Sequence, residues 1–112
     1  MAKFVPVVVS PETLEALDAE HDGVLYFTGS DLAPFCYVVR RPTADEIGKY
    51  QAAQKSRGPL KANELFLRAV CVYPTGDDFD RQVARWPASP GACLSSDRFT
   101  EFFGGAVASH QK

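Results

Sequence analysis

The residues of this chain that could carry chemistry are two histidines, three cysteines and two pairs of adjacent acids. A histidine can act as a general base or a metal ligand, and a cysteine as a nucleophile or a zinc ligand. His21 and His110 have no cysteine, serine or carboxylate partner at the spacing of a known catalytic motif. We therefore predict that both are surface residues, and we predict no catalytic residue and no enzymatic activity.

The cysteines fit a packing role better than a chemical one. Cys36, Cys71 and Cys93 are odd in number, lack a Cys-x-x-Cys spacing and lie among apolar neighbours. This pattern favours reduced, buried thiols over a disulfide framework or a metal site. The glycines form neither a phosphate-binding loop nor a dinucleotide fingerprint, so we expect no cofactor.

Composition limits the class of protein. The chain has 112 residues, of which 46% are hydrophobic and 12% aromatic, with a net charge of -2. This composition excludes a low-complexity disordered chain, and its length fits a single domain over residues 1–112. The apolar runs are far shorter than the ~20 residues of a membrane span, and the N-terminus lacks a signal-peptide pattern.

Charge is unevenly distributed along the chain. Residues 1–39 carry a net charge of -5, residues 40–68 carry +4, and residues 69–112 carry -1. The central segment is therefore a candidate basic patch, formed by Arg40, Arg41, Lys49, Lys55 and Arg57. We favour a solvated helix face, or pairing of Arg40 and Arg41 with the acidic first helix. Nucleic-acid binding is the alternative, which the negative net charge disfavours.

The N-terminal part, residues 1–40, is predicted to be rich in β-structure. Residues 4–9 are β-branched and predict a strand, although Pro6 restricts it to a sheet edge. Ser10 and Pro11 predict the start of a short helix over residues 11–22. Two further strands, residues 24–28 and 35–40, flank a loop containing glycine and aspartate, which predicts a hairpin.

The second part, residues 43–105, is predicted to be helical. Thr43 and Glu46 form a capping box, which starts a helix that runs to about Ser56. The next helix is predicted over residues 60–73, and its apolar stripe is assigned to the core: Ala62, Leu65, Phe66, Ala69, Val70 and Tyr73. Two more helices begin at Thr75 and Ser89. Residues 106–112 are predicted to be a frayed tail. The predicted fold is α+β, with a small N-terminal hairpin or sheet followed by a bundle of three to four helices.

The hairpin has no clearly polar face. Alternation places Leu25 and Phe27 on one face, with Val24 and Tyr26 on the other. We therefore expect both faces to be covered, either by helices or by a second copy of the chain. Core packing and a surface for another protein are both open interpretations of the aromatic residues. The candidate protein-binding residues are Tyr26, Phe27, Phe35 and Tyr37.

Three spaced elements carry a resemblance to a known family. They are residues 37–43 (Tyr-Val-Val-Arg-Arg-Pro-Thr) leading into Glu46, residues 69–74 (Ala-Val-Cys-Val-Tyr-Pro), and Phe79 followed by Trp86-Pro87. In this order, they resemble the small tail assembly chaperones of long-tailed bacteriophages and prophages, which are encoded just before the tape measure protein. The resemblance covers about half of the chain, roughly residues 35–90.

The resemblance implies a non-enzymatic protein of the host cytoplasm. Such a protein would bind the long, helical, apolar tape measure protein, keep it in solution and help to gather tail tube subunits, and it would form homo-oligomers. An apolar groove with charges at its rim would suit a helical client. The alternative is a small phage adaptor or regulatory protein that binds another protein, or nucleic acid, through the basic segment. Neither function involves a cofactor, a metal or a membrane.

Overall fold

A computed structural model of the chain describes residues 8–102, apart from the side chains of Thr100 and Phe102. The described part is an α+β fold with a three-stranded antiparallel sheet and six helices. The elements in chain order are α1 (Pro11–Glu20), β1 (Val24–Thr28), β2 (Cys36–Arg40), α2 (Ala44–Arg57), α3 (Pro59–Val70), β3 (Cys71–Tyr73), α4 (Gly76–Arg85), α5 (Ser89–Leu94) and α6 (Asp97–Phe102).

Local capping chemistry starts the first two helices. The Ser10 hydroxyl accepts a hydrogen bond from the Thr13 backbone amide at 3.1 Å, and Pro11 occupies the first turn of α1. At α2, Thr43 and Glu46 form the predicted reciprocal capping box. Each side chain satisfies a backbone amide that the first helical turn leaves open, and this fixes where the helix begins.

The sheet has the order β1-β2-β3, and β1 and β2 form the predicted hairpin. The third strand was not predicted. Helix α3 ends at Val70, and Cys71–Tyr73 pairs with Val38 and Val39 of β2. The sheet is therefore not confined to the N-terminal part of the chain. The predicted helix over residues 60–73 is too long by these three residues, which gain sheet hydrogen bonds instead.

The final predicted helix is divided in two. Helix α5 ends at Leu94, and α6 begins at Asp97. Five helices therefore follow the hairpin within residues 8–102, rather than the three to four that we predicted. Val8 and Val9 form no strand, while residues 4–7, the predicted tail 106–112 and His110 lie outside the described residues.

Both faces of the sheet are covered by the chain itself. The front face, which we define as Leu25, Phe27, Tyr37 and Val39, packs against side chains from α3 to α6. The back face, defined as Val24, Tyr26, Cys36 and Val38, packs against Val9 and against Leu14 and Leu17 of α1. The sequence left open whether helices or a second copy of the chain would cover the two faces. In the structure, helices of the chain itself cover both.

For two of the four candidate protein-binding residues, Phe27 and Tyr37, this covering corrects the prediction of a surface and supports core packing. Phe27 is 6% exposed and Tyr37 is 0% exposed, so neither ring is accessible to another protein. The Tyr37 ring meets the Phe79 ring edge-on at 5.6 Å, and its hydroxyl lies 2.8 Å from the Ser89 hydroxyl. The helices that follow the hairpin bring enough apolar area to bury both rings.

Candidate protein-binding groove

Helix α2 has 14 residues, and none of them is buried. Its main contacts are with α3, to which it is joined at Gly58. Gly58 has φ of +87°, a backbone conformation that favours glycine and lets the chain reverse between the two helices. The two helices therefore form a hairpin whose outer member lies largely in solvent.

A groove runs between these two helices, with a volume of about 210 Å³. Each helix contributes residues at positions i, i+3, i+4 and i+7, which form one stripe along its surface. Most of the lining side chains are apolar, and three of them are alanines, whose small size leaves the space open. The lining residues are Glu46, Lys49, Tyr50 and Ala53 from α2, and Ala62, Leu65, Phe66 and Ala69 from α3.

Aromatic stacking fixes the floor of the groove. The rings of Tyr50 and Phe66 are stacked, with 4.6 Å between their centroids. The Tyr50 hydroxyl donates a hydrogen bond of 2.7 Å to the Asn63 side chain. Burial raises the pKa of Tyr50, so this hydroxyl stays protonated at neutral pH. The stacked rings and this hydrogen bond hold the side chains of the floor against one another.

Hydrogen bonds hold Arg40 and Glu46 in place at the rim of the groove. The Arg40 guanidinium donates to both oxygens of Glu46, at 2.9 and 2.6 Å, and also to the Ala69 carbonyl at 2.9 Å. This pairing lowers the pKa of Glu46 to about 2. Lys49 lies 3.3 Å from Asp45 and is exposed. The arrangement is an apolar floor between charged margins.

An exposed basic corner lies where α2 meets α3. Lys55 and Arg57 occupy the last turn of α2 and are exposed, and Lys61 follows in the first turn of α3. Leu60 lies beside them with 61% of its surface exposed. A single exposed leucine is common on protein surfaces and does not by itself indicate a binding site.

The structure does not bring the predicted basic patch together as one surface. Arg40 binds Glu46 and the Ala69 carbonyl, so the predicted pairing of Arg40 with the acidic first helix is wrong. Arg41 donates a hydrogen bond of 3.0 Å to the carbonyl of Asp22, just after α1. Only Lys49 lines the groove, and only Lys55 and Arg57 lie at the basic corner.

The predicted aromatic residues lie elsewhere. Phe27 and Tyr37 are in the core, Tyr26 is on the back face, and Phe35 lies beside Trp86 with 6.4 Å between the ring centroids. None of them lines the groove. Sequence analysis assigned the groove residues of α3 to a core stripe, and Ala62 and Phe66 are indeed buried. It did not predict that the same stripe lines a groove. The missed signal is the pair of alanines at Ala62 and Ala69, which are seven residues apart on one helix face.

The cysteines are buried and free, which confirms the prediction of packed thiols. Burial raises the pKa of Cys71 and of Cys93 to about 12, and it also raises the pKa of Cys36. A thiol with such a pKa is protonated at neutral pH and is a weak nucleophile. His21 is partly exposed and lies 3.7 Å from the Glu20 carboxylate.

Residues 8–102 contain no group of three or more histidine, cysteine or acidic side chains arranged to hold a metal ion. None of the helices in this range combines the length and the apolar character of a membrane span. A groove of about 210 Å³ is also smaller than the roughly 300–1,000 Å³ of common small-molecule sites. Comparisons with protein-family models, curated proteins and solved structures find no match to this chain.

Proposed function

We propose that this protein is a non-enzymatic tail assembly chaperone of a long-tailed phage or prophage, and that it binds an apolar helical segment of the tape measure protein. The observation that carries the proposal is the α2–α3 groove, with its apolar floor and charged rim. The resemblance over residues 35–90 supports the same function. The host cytoplasm and a homo-oligomeric state belong to this proposal.

A helical client suits the groove geometrically. Two adjacent antiparallel helices leave a furrow between them, and a third helix can pack into this furrow as in a helical bundle. Such a helix presents apolar side chains at i, i+3, i+4 and i+7, which is the same spacing as that of the lining residues. The alanines Ala53, Ala62 and Ala69 leave room for larger side chains of the client.

Nucleic-acid binding has weaker support than protein binding. Among the described basic residues, Arg40 is committed to Glu46, and Lys49 lies beside Asp45. Lys49 and the corner with Lys55, Arg57 and Lys61 present exposed positive charge near the groove, but Lys49 and Lys61 each lie beside a carboxylate. The alternative function, a phage adaptor that binds another tail protein, would use the same groove. The two functions differ only in which protein is bound.

The test is an aggregation assay with a helical fragment of the tape measure protein from the same genome. The wild-type protein is expected to suppress light scattering by the fragment. In Ala53→Glu, the groove receives a charge that an apolar client would have to desolvate, and the concentration for half-maximal suppression should rise about tenfold. Alanine and glutamate both favour helices, so α2 should be retained.

The matched control is Ala52→Glu. Ala52 neighbours Ala53 on α2, is exposed and does not line the groove. This variant should suppress aggregation as the wild type does. Failure of the wild-type protein to bind the fragment would contradict the proposed client, and equal loss in both variants would contradict the proposed groove.

A further inference from the structure

The outer edge of β1 carries backbone groups that can pair with another strand. Gly29 donates its amide to the Phe35 carbonyl at 2.9 Å, and this pair continues the register of β1 and β2. Hydrogen-bonded pairs alternate along an antiparallel ladder, so Phe27 and Leu25 also bond to β2. The amides and carbonyls of Val24, Tyr26 and Thr28 therefore point away from the sheet.

Only part of this edge has a partner among residues 8–102. The Val24 amide donates to the Asp18 carboxylate at 3.0 Å. Within the same residues, no hydrogen bond reaches the outward backbone groups of Tyr26 and Thr28. An edge strand with such groups is a template for the addition of another strand.

An open groove of about 400 Å³ follows this edge. Helix α1 forms the wall on the back-face side with Glu15 and Asp18, and Arg98 of α6 lies on the other side. The Arg98 guanidinium is placed 5.7 Å from the centre of the Phe27 ring, on the front face. Side chains of an added strand would alternate between these two walls.

The charges of the two walls differ. Residues 11–22 contain five acidic residues and no lysine or arginine. The wall formed by α1 therefore attracts basic side chains. On the front-face side, Leu25 offers an apolar contact, and the charge of Arg98 disfavours a further basic side chain. An added strand with alternating basic and apolar residues would satisfy both walls.

A second copy of the chain fits this edge poorly. Antiparallel pairing of two β1 edges about a twofold axis normal to the sheet keeps both back faces on the same side. The two α1 helices, each with acidic residues and no lysine or arginine, would then lie on one side of the joined sheet and repel each other.

We propose that the β1 edge binds an extended, basic segment of another protein by strand addition. This site is separate from the α2–α3 groove and does not depend on the proposed chaperone function. Backbone hydrogen bonds to Tyr26 and Thr28 would align the strand, and the acidic wall of α1 would select its basic side chains.

The test uses a fluorescein-labelled peptide of alternating lysine and valine, with binding followed by fluorescence anisotropy. A glutamate–valine peptide of the same length should not bind. A lysine–valine peptide that is N-methylated at alternate backbone amides keeps its charge but loses strand-pairing donors. The N-methylated peptide should bind about tenfold more weakly, because each lost hydrogen bond costs binding free energy.

Variants of the protein test the same contact from the other side. Thr28→Pro removes an outward amide without removing a β1–β2 hydrogen bond, and it should weaken binding about tenfold, whereas Thr28→Val should not. Glu15→Lys reverses a charge on the groove wall and should weaken binding. Glu20→Lys makes the same charge change outside the groove and should weaken binding less than Glu15→Lys does.

Several results would overturn the proposal. One is that the lysine–valine peptide does not bind. Another is that the N-methylated peptide binds as tightly as the unmodified one, which would indicate attraction by charge alone. Dimerisation that is lost in Thr28→Pro would assign the edge to a second copy. Binding that is seen only after deletion of residues 1–7 would assign the edge to the chain's own N-terminal segment.

Discussion

Arg40 and Glu46 link three elements through one pair of side chains. Arg40 ends β2, Glu46 lies in the first turn of α2, and the same guanidinium reaches the Ala69 carbonyl of α3. Glu46 also accepts a hydrogen bond from the Thr43 amide at 2.9 Å as part of the capping box. The carboxylate therefore positions the groove rim and starts the helix.

This pair predicts a dependence of stability on pH. The Arg40 hydrogen bonds lower the pKa of Glu46 from 4.5 to about 2. A carboxyl whose pKa is lower in the folded protein stabilises the fold fully above its ordinary pKa, and this contribution is lost as the pH falls through about 4.5 towards 2. At neutral pH, Glu46→Gln should lower the free energy of unfolding by about 1–3 kcal/mol.

The measurement is urea unfolding of both proteins at a series of pH values. The difference between wild type and Glu46→Gln should shrink as the pH falls below 4.5. Titration of other acids affects both proteins alike and cancels in this difference. A difference that stays constant down to the lowest pH would show that the charge of Glu46 contributes nothing.

At the scale of elements, a side chain takes the place of a missing strand. Strand β3 has three residues and pairs with Val38 and Val39, so it does not reach Cys36. Gln82 of α4 is fully buried and fills this position. Its side-chain carbonyl accepts from the Cys36 amide at 2.9 Å, and its amide donates to the Cys36 carbonyl at 2.7 Å. Helix α4 is thereby joined to the start of the central strand β2.

Replacement of Gln82 should therefore be costly. Gln82→Met keeps the size of the side chain but leaves the buried amide and carbonyl of Cys36 without partners, and each such group costs about 1–3 kcal/mol. We expect the free energy of unfolding to fall by about 2–4 kcal/mol in chemical denaturation. The control Gln54→Met, at an exposed position of α2, should change it by less than about 0.5 kcal/mol. Equal stability of the two variants would contradict this role.

The sequence predicted those elements that local chemistry specifies. Caps at Ser10 and Thr43 place helix starts through contacts within a few residues, and both are confirmed. The third strand depends on pairing with Val38, more than 30 residues away in the chain. Tyr73 also follows Phe66 by seven residues, so the segment continued the helical pattern of α3 and its strand was missed.

The groove could not be predicted in the same way. The sequence predicted the apolar stripe of α3. A stripe alone does not show how much of its surface a neighbouring helix will cover. In the structure, α2 covers α3 incompletely, because its facing residues include the small side chain of Ala53. The site arises from the relative placement of two helices, which local patterns do not specify.

At the scale of the whole molecule, the sheet lies between two unequal layers. The acidic helix α1 covers the back face, and the helices from α3 to α6 cover the front face. A chain of 12.3 kDa thus encloses Phe27 and Tyr37 with its own residues. The surface that we propose for a helical client is on the outer helical hairpin instead.

Hydrogen–deuterium exchange with and without the tape measure fragment tests the central claim most directly. Because α2 has no buried residue, its amides should exchange quickly in the free protein. On binding, amides of α2 and α3 should become protected, while those of β1 and β2 stay unchanged, and Ala53→Glu should abolish the protection. Protection of the hairpin, or of no amide in α2 and α3, would contradict binding of a helical client in this groove.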